Sequence, residues 1–291
     1  MYFISVFKNL FKTSNIGTFI FFILNTLMIV GLFASSGPET LTTVLLIYIL
    51  SIFIALSPVG EYILGVISGA RTMRRVDMKN RITPIANRVK NKARMKTPDL
   101  PNDINIKFCQ DPNPNAFAIG RKTICVTEGL FELPDEMIEG ILAHEFAHLA
   151  LHHTDIQLLI GGGNFIITFF ILILQAISYI ITGITTIATF KSRSCATGCL
   201  FSIFGALCAG IVWLWTKFCM LFLMWSCRAN EYEADKYAKQ IGFGYELALA
   251  LDSIGTGTPQ NTFLNALYST HPETNDRIGK LQEMGVPYSR Y

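Results

Sequence analysis

The chain has 291 residues, of which 51% are hydrophobic and only 15% are charged, whereas roughly 25% of the residues in a globular protein are charged. This imbalance argues against a freely soluble protein, and the 22 Phe and 10 Tyr exclude an intrinsically disordered chain. The formal net charge of +3 is too small to indicate nucleic acid as a partner.

Two uncharged stretches near the N-terminus are long enough to cross a membrane. The first, Thr13–Pro38, has an apolar core at Ile16–Ala34, close to the roughly 20 residues that a membrane-spanning helix needs. A cleaved signal peptide is the alternative, but the apolar region of such peptides is usually about 7–15 residues long. The second stretch, Thr40–Gly60, follows a short turn, so residues 1–70 are predicted to form a transmembrane hairpin.

Two more uncharged stretches follow in the second half of the chain, at Ile156–Phe190 and Ser194–Cys227, and only Lys217 interrupts the second of them. They predict a second transmembrane pair over residues 156–226, which gives about four membrane spans in all. Lys217 and Glu61 are isolated charges that either snorkel to the membrane interface or line a polar path.

The distribution of basic residues predicts the orientation of these spans. Arg71–Lys96 contains ten Lys or Arg and one acid, whereas the turn of the first hairpin contains no basic residue. By the positive-inside rule, the large polar part of the chain is therefore predicted on the cytoplasmic side. Lys191 and Arg193 would then lie on the opposite side, so the alternative is that the third and fourth stretches enter the bilayer without fully crossing it.

The two polar segments, residues 71–155 and 227–291, are together long enough for one soluble domain. Apolar patterning and turn residues predict a small meander of strands at residues 104–108, 116–119 and 123–127. A helix is predicted from Asp135 to about His153, because proline and acidic residues mark its start. Further helices are predicted at residues 229–240, 245–254 and 273–284.

The first predicted helix of the polar domain contains the pentapeptide His144-Glu145-Phe146-Ala147-His148. Residues four apart share a helix face, so both imidazoles can reach one zinc ion, with Glu145 close to a metal-bound water. The alternative is a surface helix with two histidines and a solvated glutamate. His152 continues the spacing, but it lies about 12 Å along the helix from His144. His152 and His153 are therefore predicted to be ordinary helix-end residues.

A catalytic zinc site needs a third protein ligand and an open position for water. Glu231 and Asp235, on the predicted helix that leaves the fourth stretch, are four residues apart and share a face. A metal bound to one of them and a histidine N–H bonded to the other would offset their mutual repulsion. The alternative is a solvated acidic face in which Asp235 pairs with Lys239.

Taken in order, these motifs resemble those of the HtpX-type integral-membrane zinc metalloproteases, which are relatives of the CAAX prenyl proteases and the mitochondrial Oma-type proteases. The resemblance covers most of the chain and rests on Asn115-Ala116-Phe117-Ala118, the pentapeptide, Glu231-x-x-x-Asp235, His271-Pro272 and Arg277-Ile278. It implies a mostly α membrane protein with about four transmembrane helices. Residues 71–155 and 227–291 would form a zincin-like α+β metalloprotease domain on the cytoplasmic side.

The resemblance implies a metal centre and a general base. His144, His148 and Glu231 would bind one zinc ion per chain. Glu145 would take a proton from the attacking water, and Asp235 would orient a ligand histidine.

Further residues would complete the site by the same resemblance. His271 would help to stabilise the oxyanion, and Arg277 would support the site from behind. Asn115, Ala116, Phe117 and Ala118 would form the edge strand against which an extended substrate backbone pairs. Considered without the other motifs, His271 could equally begin a helix, and Asn115 could be a turn residue.

The implied function is that of a zinc metalloendopeptidase in the cell membrane, with its active site on the cytoplasmic side. Its partners would be the lipid bilayer and peptide or membrane-protein substrates, in stress-related quality control of misfolded membrane proteins. A CAAX-type prenyl-peptide protease is one alternative, although that branch has more spans than this sequence predicts. A membrane scaffold with a vestigial zinc site is the other, although a structural zinc site needs four protein ligands.

Overall fold

The computed structural model describes residues 2–160, 195–254 and 274–289, together with five isolated positions between 173 and 184. Within these residues the chain is mostly helical, as predicted, and has one small sheet of four strands, one more than was predicted. Most of the third predicted span lies outside the described residues, and so do Lys191 and Arg193.

Four helices begin the chain: α1 (Tyr2–Leu10), α2 (Ile16–Phe33), α3 (Pro38–Ala55) and α4 (Pro58–Ile67). Two segments of the described chain are long and apolar enough to cross a membrane, Thr13–Ser36 and Pro38–Ala55. Gly37 joins them with a φ of 90°, a conformation that glycine adopts without strain. Only 6% of α3 is buried, so most of its apolar surface faces outward.

The second apolar stretch ends earlier than predicted. α3 ends at Ala55 rather than at Gly60, and α4 begins at Pro58, because proline lacks the N–H group that would continue a helix. The N–H of Val59 donates to Oγ of Ser57 at 3.2 Å, which caps the new helix. α4 is therefore a separate helix of ten residues, too short to span a bilayer.

The sheet contains β1 (Arg71–Thr72), β2 (Asn105–Cys109), β3 (Ala116–Ile119) and β4 (Thr123–Thr127) in the order β1-β2-β4-β3. The predicted strand positions are confirmed, but the predicted meander is wrong. β2 and β4 pair in parallel, and β3 pairs antiparallel with β4 through a tight turn at Gly120. Strand order depends on packing between distant residues, which local patterning does not record. As a result, β3 lies at one edge of the sheet.

The helix α6 (Asp135–Ala150) lies at the centre of the polar domain, and eleven of its 16 residues are buried. It was predicted to continue to about His153, but it ends at Ala150. His152 has a φ of 62°, a left-handed conformation that residues other than glycine rarely adopt, and a new helix, α7, covers residues 153–160. The prediction is wrong at this end because no glycine or proline marks the turn.

The second polar segment contains the end of one helix, α8, and two complete helices. Their bounds are α8 (Cys195–Gln240), α9 (Gly244–Ile254) and α10 (Thr274–Glu283). α8 is one continuous helix of 46 residues that joins the fourth predicted stretch to the polar domain. It ends before Gly242, whose φ is 87°. The helices predicted at residues 245–254 and 273–284 are confirmed to within one residue at each end, and the predicted residues 229–240 form the last part of α8.

One apolar core connects the sheet to α5 (Val76–Lys96), α6, the end of α8, α9 and α10. Ile124 of β4, Leu142 and Phe146 of α6, and Leu247 of α9 are among its fully buried side chains. Residues from both polar segments of the sequence therefore pack into the same interior. Within it, α6 contacts α5, α8, α9 and β3.

The N-terminal helices contact α8 just before its polar end. The N–H of Thr18 donates to Oγ of Ser226 at 3.0 Å, and Nδ2 of Asn230 donates to Oδ1 of Asn15 at 2.9 Å. These bonds are buried, where hydrogen bonds are costly to leave unmade. They hold α8 against α2 immediately before Glu231.

We expect the close packing of α6 on α9 to make Gly140 intolerant of a side chain. A Cβ atom at Gly140 would lie 2.3 Å from the backbone N of Leu247 and 2.4 Å from the backbone C of Glu246. Gly140→Ala should therefore lower the free energy of unfolding by about 1–3 kcal/mol, measured by chemical unfolding of the purified protein.

The matched control is Gly279→Ala on α10, because a Cβ atom there would have no heavy atom within 4 Å. That substitution should leave the protein as stable as before, or more stable by roughly 0.5–1 kcal/mol. Equal stability of the two variants would contradict the packing described for Gly140.

Candidate active site

Three donor groups from α6 and α8 converge in the interior of the polar domain. His144 and His148 stand one turn apart on α6, and their Nε2 atoms are 3.0 Å apart. From α8, the two carboxylate oxygens of Glu231 each lie 3.2 Å from one of these Nε2 atoms. All three side chains are buried.

This cluster fits one small metal ion. In a tetrahedral zinc site with ligand distances of about 2.0–2.1 Å, neighbouring donor atoms lie roughly 3.3–3.4 Å apart. The separations of 3.0–3.2 Å between the three donors are close to that value. His144, Glu145 and His148 also form a group whose ligand atoms all lie within 4.8 Å of one another.

The charges around His144 favour a positive charge at this point. Burial and the nearby Arg277 oppose protonation of His144, but the carboxylates of Glu231 and Asp235 outweigh them and raise the pKa of His144 to about 10. A metal ion satisfies the same carboxylates in place of a proton. The electrostatics of the cluster therefore agree with its geometry.

Asp235 lies on the far side of His144 from the converging donors. Its Oδ1 is 2.9 Å from Nδ1 of His144, and it accepts two hydrogen bonds from Arg277 at 2.8 and 2.6 Å. Burial would raise the pKa of Asp235, but Arg277 and His144 lower it to about 2. An ionised Asp235 keeps a proton of His144 on Nδ1, so Nε2, on the side of Glu231, is the nitrogen that can give up its proton and offer a lone pair to a metal ion.

Glu145 lies between the donor cluster and the edge strand β3. Its Oε2 accepts a hydrogen bond of 2.7 Å from the backbone N–H of Ala118. Asn115, directly before β3, bonds in the other direction. Its backbone N–H donates to Oγ1 of Thr127 at 2.8 Å, and its backbone C=O accepts from the backbone N–H of Thr127 at 3.0 Å. Alternate residues of β3 therefore face β4, whereas Ala116 and Ala118 direct their backbone groups to the free edge, where none of the described strands pairs with them.

The structure brings together most of the residues singled out from the sequence. The residues in contact around one centre are His144, Glu145, His148, Glu231, Asp235, Arg277 and Ala118. Ala116 and Phe117 belong to β3, and Asn115 directly precedes this strand and bonds to Thr127 of β4. His271 and Pro272 lie outside the described residues.

His153 and Glu233 are two further residues at the site that the sequence analysis missed. His153 was predicted to be an ordinary helix-end residue, but it is 2% exposed and its Nδ1 lies 3.1 Å from Nδ1 of His148. Its Nε2 lies 3.2 Å from Oε2 of Glu233. Burial lowers the pKa of His153 to about 4, so this imidazole is neutral near pH 7. Only the unusual backbone of His152 brings His153 here, and the local sequence carries no signal for it.

Glu61, an isolated charge in the sequence, belongs to a cluster of charged side chains with Arg121 and Asp155. Its carboxylate accepts a hydrogen bond from the backbone N–H of Arg121 at 3.2 Å and lies 3.5 Å from the guanidinium. The same guanidinium lies 3.7 Å from the buried Asp155 on α7. Burial raises the pKa of Glu61, and Arg121 opposes this. The cluster connects α4 to the β3–β4 turn and to the segment that follows α6.

Comparison with known proteins finds one protein family for this chain. The sequence pattern of peptidase family M48 matches residues 78–285, which is well over half of the chain. The matched segment contains all the converging residues of the site.

Individual relatives and a solved structure agree with this match. A protein named Protease HtpX homolog from Neisseria meningitidis is 27% identical over 270 residues, covering 87% of this chain and 88% of the relative. One of the same name from Campylobacter curvus is 29% identical over 205 residues, covering 60% and 65%. The crystal structure of S. mikatae Ste24p aligns with a TM-score of 0.51 and 18% identity, over 96% of this chain and 65% of Ste24p. The chain thus shares the Ste24p fold while spanning slightly less than two thirds of its length.

Proposed function

The chain belongs to peptidase family M48, and from this membership we propose that it is a membrane-bound zinc metalloendopeptidase. The observation that carries the proposal is the convergence of His144, His148 and Glu231 on one point, with the carboxylate of Glu145 beside it. The family supplies the reaction class, the hydrolysis of peptide bonds, and the geometry indicates which residues perform it.

Zinc is the proposed cofactor, with one ion per chain held by His144, His148 and Glu231. Two imidazoles and one carboxylate form a ligand set typical of catalytic zinc, in which a fourth position stays open to water or substrate. Bound there, zinc would lower the pKa of a water molecule and polarise the substrate carbonyl. A structural site would need a fourth protein donor. Glu145 is the other carboxylate near the two histidines, but its Oε2 accepts the backbone N–H of Ala118, which fits a base beside the metal rather than a fourth ligand.

Glu145 is the proposed general base. The N–H of Ala118 holds one of its carboxylate oxygens at 2.7 Å, which leaves the other oxygen to accept a proton from the attacking water. The same carboxylate then passes the proton to the amine that leaves. Asp235 and Arg277 hold His144 in the tautomer that binds metal, and we assign stabilisation of the oxyanion to His271 from the family resemblance alone.

The free edge of β3 is the proposed binding site for the substrate backbone. An extended peptide can add to this edge as a further strand and pair with the outward backbone groups of Ala116 and with the C=O of Ala118. Because the N–H of Ala118 is bonded to Glu145, a peptide bound here lies directly against the proposed base. Asn115 and Phe117, whose backbones face β4, would hold the edge strand in register.

We also propose that α2 and α3 cross the cell membrane and that α8 carries a later span of a second pair. The outward-facing apolar residues of α3 support this, since Leu46, Leu50 and Ile54 are each about half exposed. The basic residues of Arg71–Lys96 support a cytoplasmic position for the active site.

Membrane proteins that have misfolded are the proposed substrates, in a stress-related quality-control role. An active site attached directly to membrane helices favours substrates that emerge from the same bilayer. The Ste24p fold keeps a CAAX prenyl peptide as the alternative substrate to be tested.

The proposal predicts cleavage that depends on a metal. The full chain, purified and placed in lipid nanodiscs, should contain about one zinc ion per chain and cleave casein and a destabilised membrane protein. Adding 1,10-phenanthroline should abolish cleavage because it removes the Lewis acid, and added zinc should restore it. Fragment analysis on gels and metal counting by mass spectrometry measure both effects.

A protein with Glu145→Gln, prepared in the same way, reports the contribution of contaminating proteases. Cleavage that persists in the chelator would contradict the zinc mechanism, and absence of any cleavage would favour the scaffold alternative. Selective cleavage of a farnesylated CAAX peptide would instead favour the prenyl-protease alternative.

A further inference from the structure

His148 is held from behind by two side chains in series. Nδ1 of His148 lies 3.1 Å from Nδ1 of His153, and Nε2 of His153 lies 3.2 Å from Oε2 of Glu233. His153 begins α7 and is almost fully buried, whereas Glu233 stands on α8, two residues after Glu231. His148 contacts His153 through Nδ1, whereas its other ring nitrogen, Nε2, faces Glu231.

Hydrogen-bonding rules allow one arrangement of protons along this series. A neutral imidazole carries one N–H group and one lone pair. If Nε2 of His148 offers its lone pair to zinc, its Nδ1 must carry the proton and donate it to Nδ1 of His153. His153 then carries its own proton on Nε2 and donates it to Glu233. One carboxylate therefore determines the tautomers of both rings.

The other ligand histidine has a simpler version of the same support. Nδ1 of His144 lies 2.9 Å from Oδ1 of Asp235, so its proton goes directly to a carboxylate. Each of the two histidines thus directs its outer nitrogen towards an acid, one directly and one through a second imidazole. Partners of this kind typically improve metal affinity about 10–100-fold.

The backbone conformation of His152 determines where the side chain of His153 lies. His152 has a φ of 62°, which non-glycine residues rarely adopt, and its own imidazole bonds to Asp155 at 3.0 Å. This turn ends α6 and brings His153 back towards His148. In a continued helix, a residue five positions after His148 would not share its face.

We propose that His153 and Glu233 are positioning residues that hold His148 in the tautomer and orientation needed to bind zinc. This inference rests on the proposed function, since it assumes that His148 is a zinc ligand. It adds two residues to the site that act on the metal only through His148.

The test measures the zinc affinity of the full chain in nanodiscs by competition with a chromophoric chelator. His153→Phe, which keeps an aromatic ring but has no nitrogen, should weaken zinc binding about 10–100-fold. Glu233→Leu should weaken it in the same direction. The double variant should lose no more affinity than His153→Phe alone, because Glu233 acts only through His153.

Two further variants separate positioning from a general effect on the fold. His152→Asn is the matched control, because asparagine tolerates a positive φ and His152 bonds to Asp155 instead of His148. Its zinc affinity should equal that of the parent. His153→Gln supplies an amide oxygen that can accept the proton of His148, so it should recover part of the affinity lost in His153→Phe.

The outcomes distinguish this inference from the proposed function. A parent protein that binds no zinc would refute the proposed function itself. Parental affinity in His153→Phe, or in Glu233→Leu if the Phe variant fails to fold, would refute only the inference. Additive losses in the double variant, or an equal loss in His152→Asn, would also refute it.

Discussion

Replacing Glu145 with glutamine should abolish peptide cleavage and leave the bound zinc in place. The amide has nearly the same shape and can still accept the hydrogen bond from Ala118 through its oxygen, but it cannot take a proton from water. Loss of a general base typically lowers kcat by about 10²–10⁴-fold. The measurement combines kcat on a casein substrate with the zinc content of the same preparation.

The control for this variant is Glu136→Gln, which makes the same change on an exposed residue in the first turn of α6. Both its activity and its zinc content should match those of the parent. Full activity in Glu145→Gln would show that another group accepts the proton, and loss of zinc would show that Glu145 is a ligand.

Replacing Glu231 with alanine should remove the metal and, with it, all activity. Glu231 is the one proposed donor that comes from α8, and two imidazoles on α6 do not complete the three-ligand set of a catalytic zinc site. Zinc content should fall from about one ion per chain to almost none. The fold should survive, because Arg277 keeps both of its hydrogen bonds to Asp235.

Glu283→Ala, at an exposed position of α10, provides the comparison for this loss. Metal counting after dialysis measures zinc, and circular dichroism of both variants measures the fold. Retention of stoichiometric zinc by a folded Glu231→Ala protein would assign the third ligand to another residue.

The part of the site on α6 could be predicted from the sequence because its evidence is local. A spacing of four residues places His144 and His148 on one helix face whatever surrounds the helix, and their Nε2 atoms are indeed 3.0 Å apart. The same spacing places Glu231 and Asp235 on one face of α8. That this face meets α6 was implied only by the family resemblance, because local patterning does not record which helices pack together.

The features that could not be predicted all depend on contacts between distant residues or on an unmarked backbone turn. The parallel pairing of β2 with β4 places β3 at the edge, although the three strands in chain order suggested a meander. His153 reaches His148 only because His152 adopts a left-handed conformation without a glycine. The break at Pro58 is the exception, since a proline inside the stretch Thr40–Gly60 is visible in the sequence and favours a helix boundary.

The donors of the metal centre lie on either side of the long apolar region between α6 and the polar end of α8. His144 and His148 are translated well before Glu231, which comes 83 residues after His148 in the sequence. A nascent chain that has emerged as far as α7 therefore has two imidazoles and no third ligand. Under the proposed function, a chain still being synthesised would gain its complete set of zinc ligands only after residue 231, so it would be unable to cleave neighbouring proteins before that point.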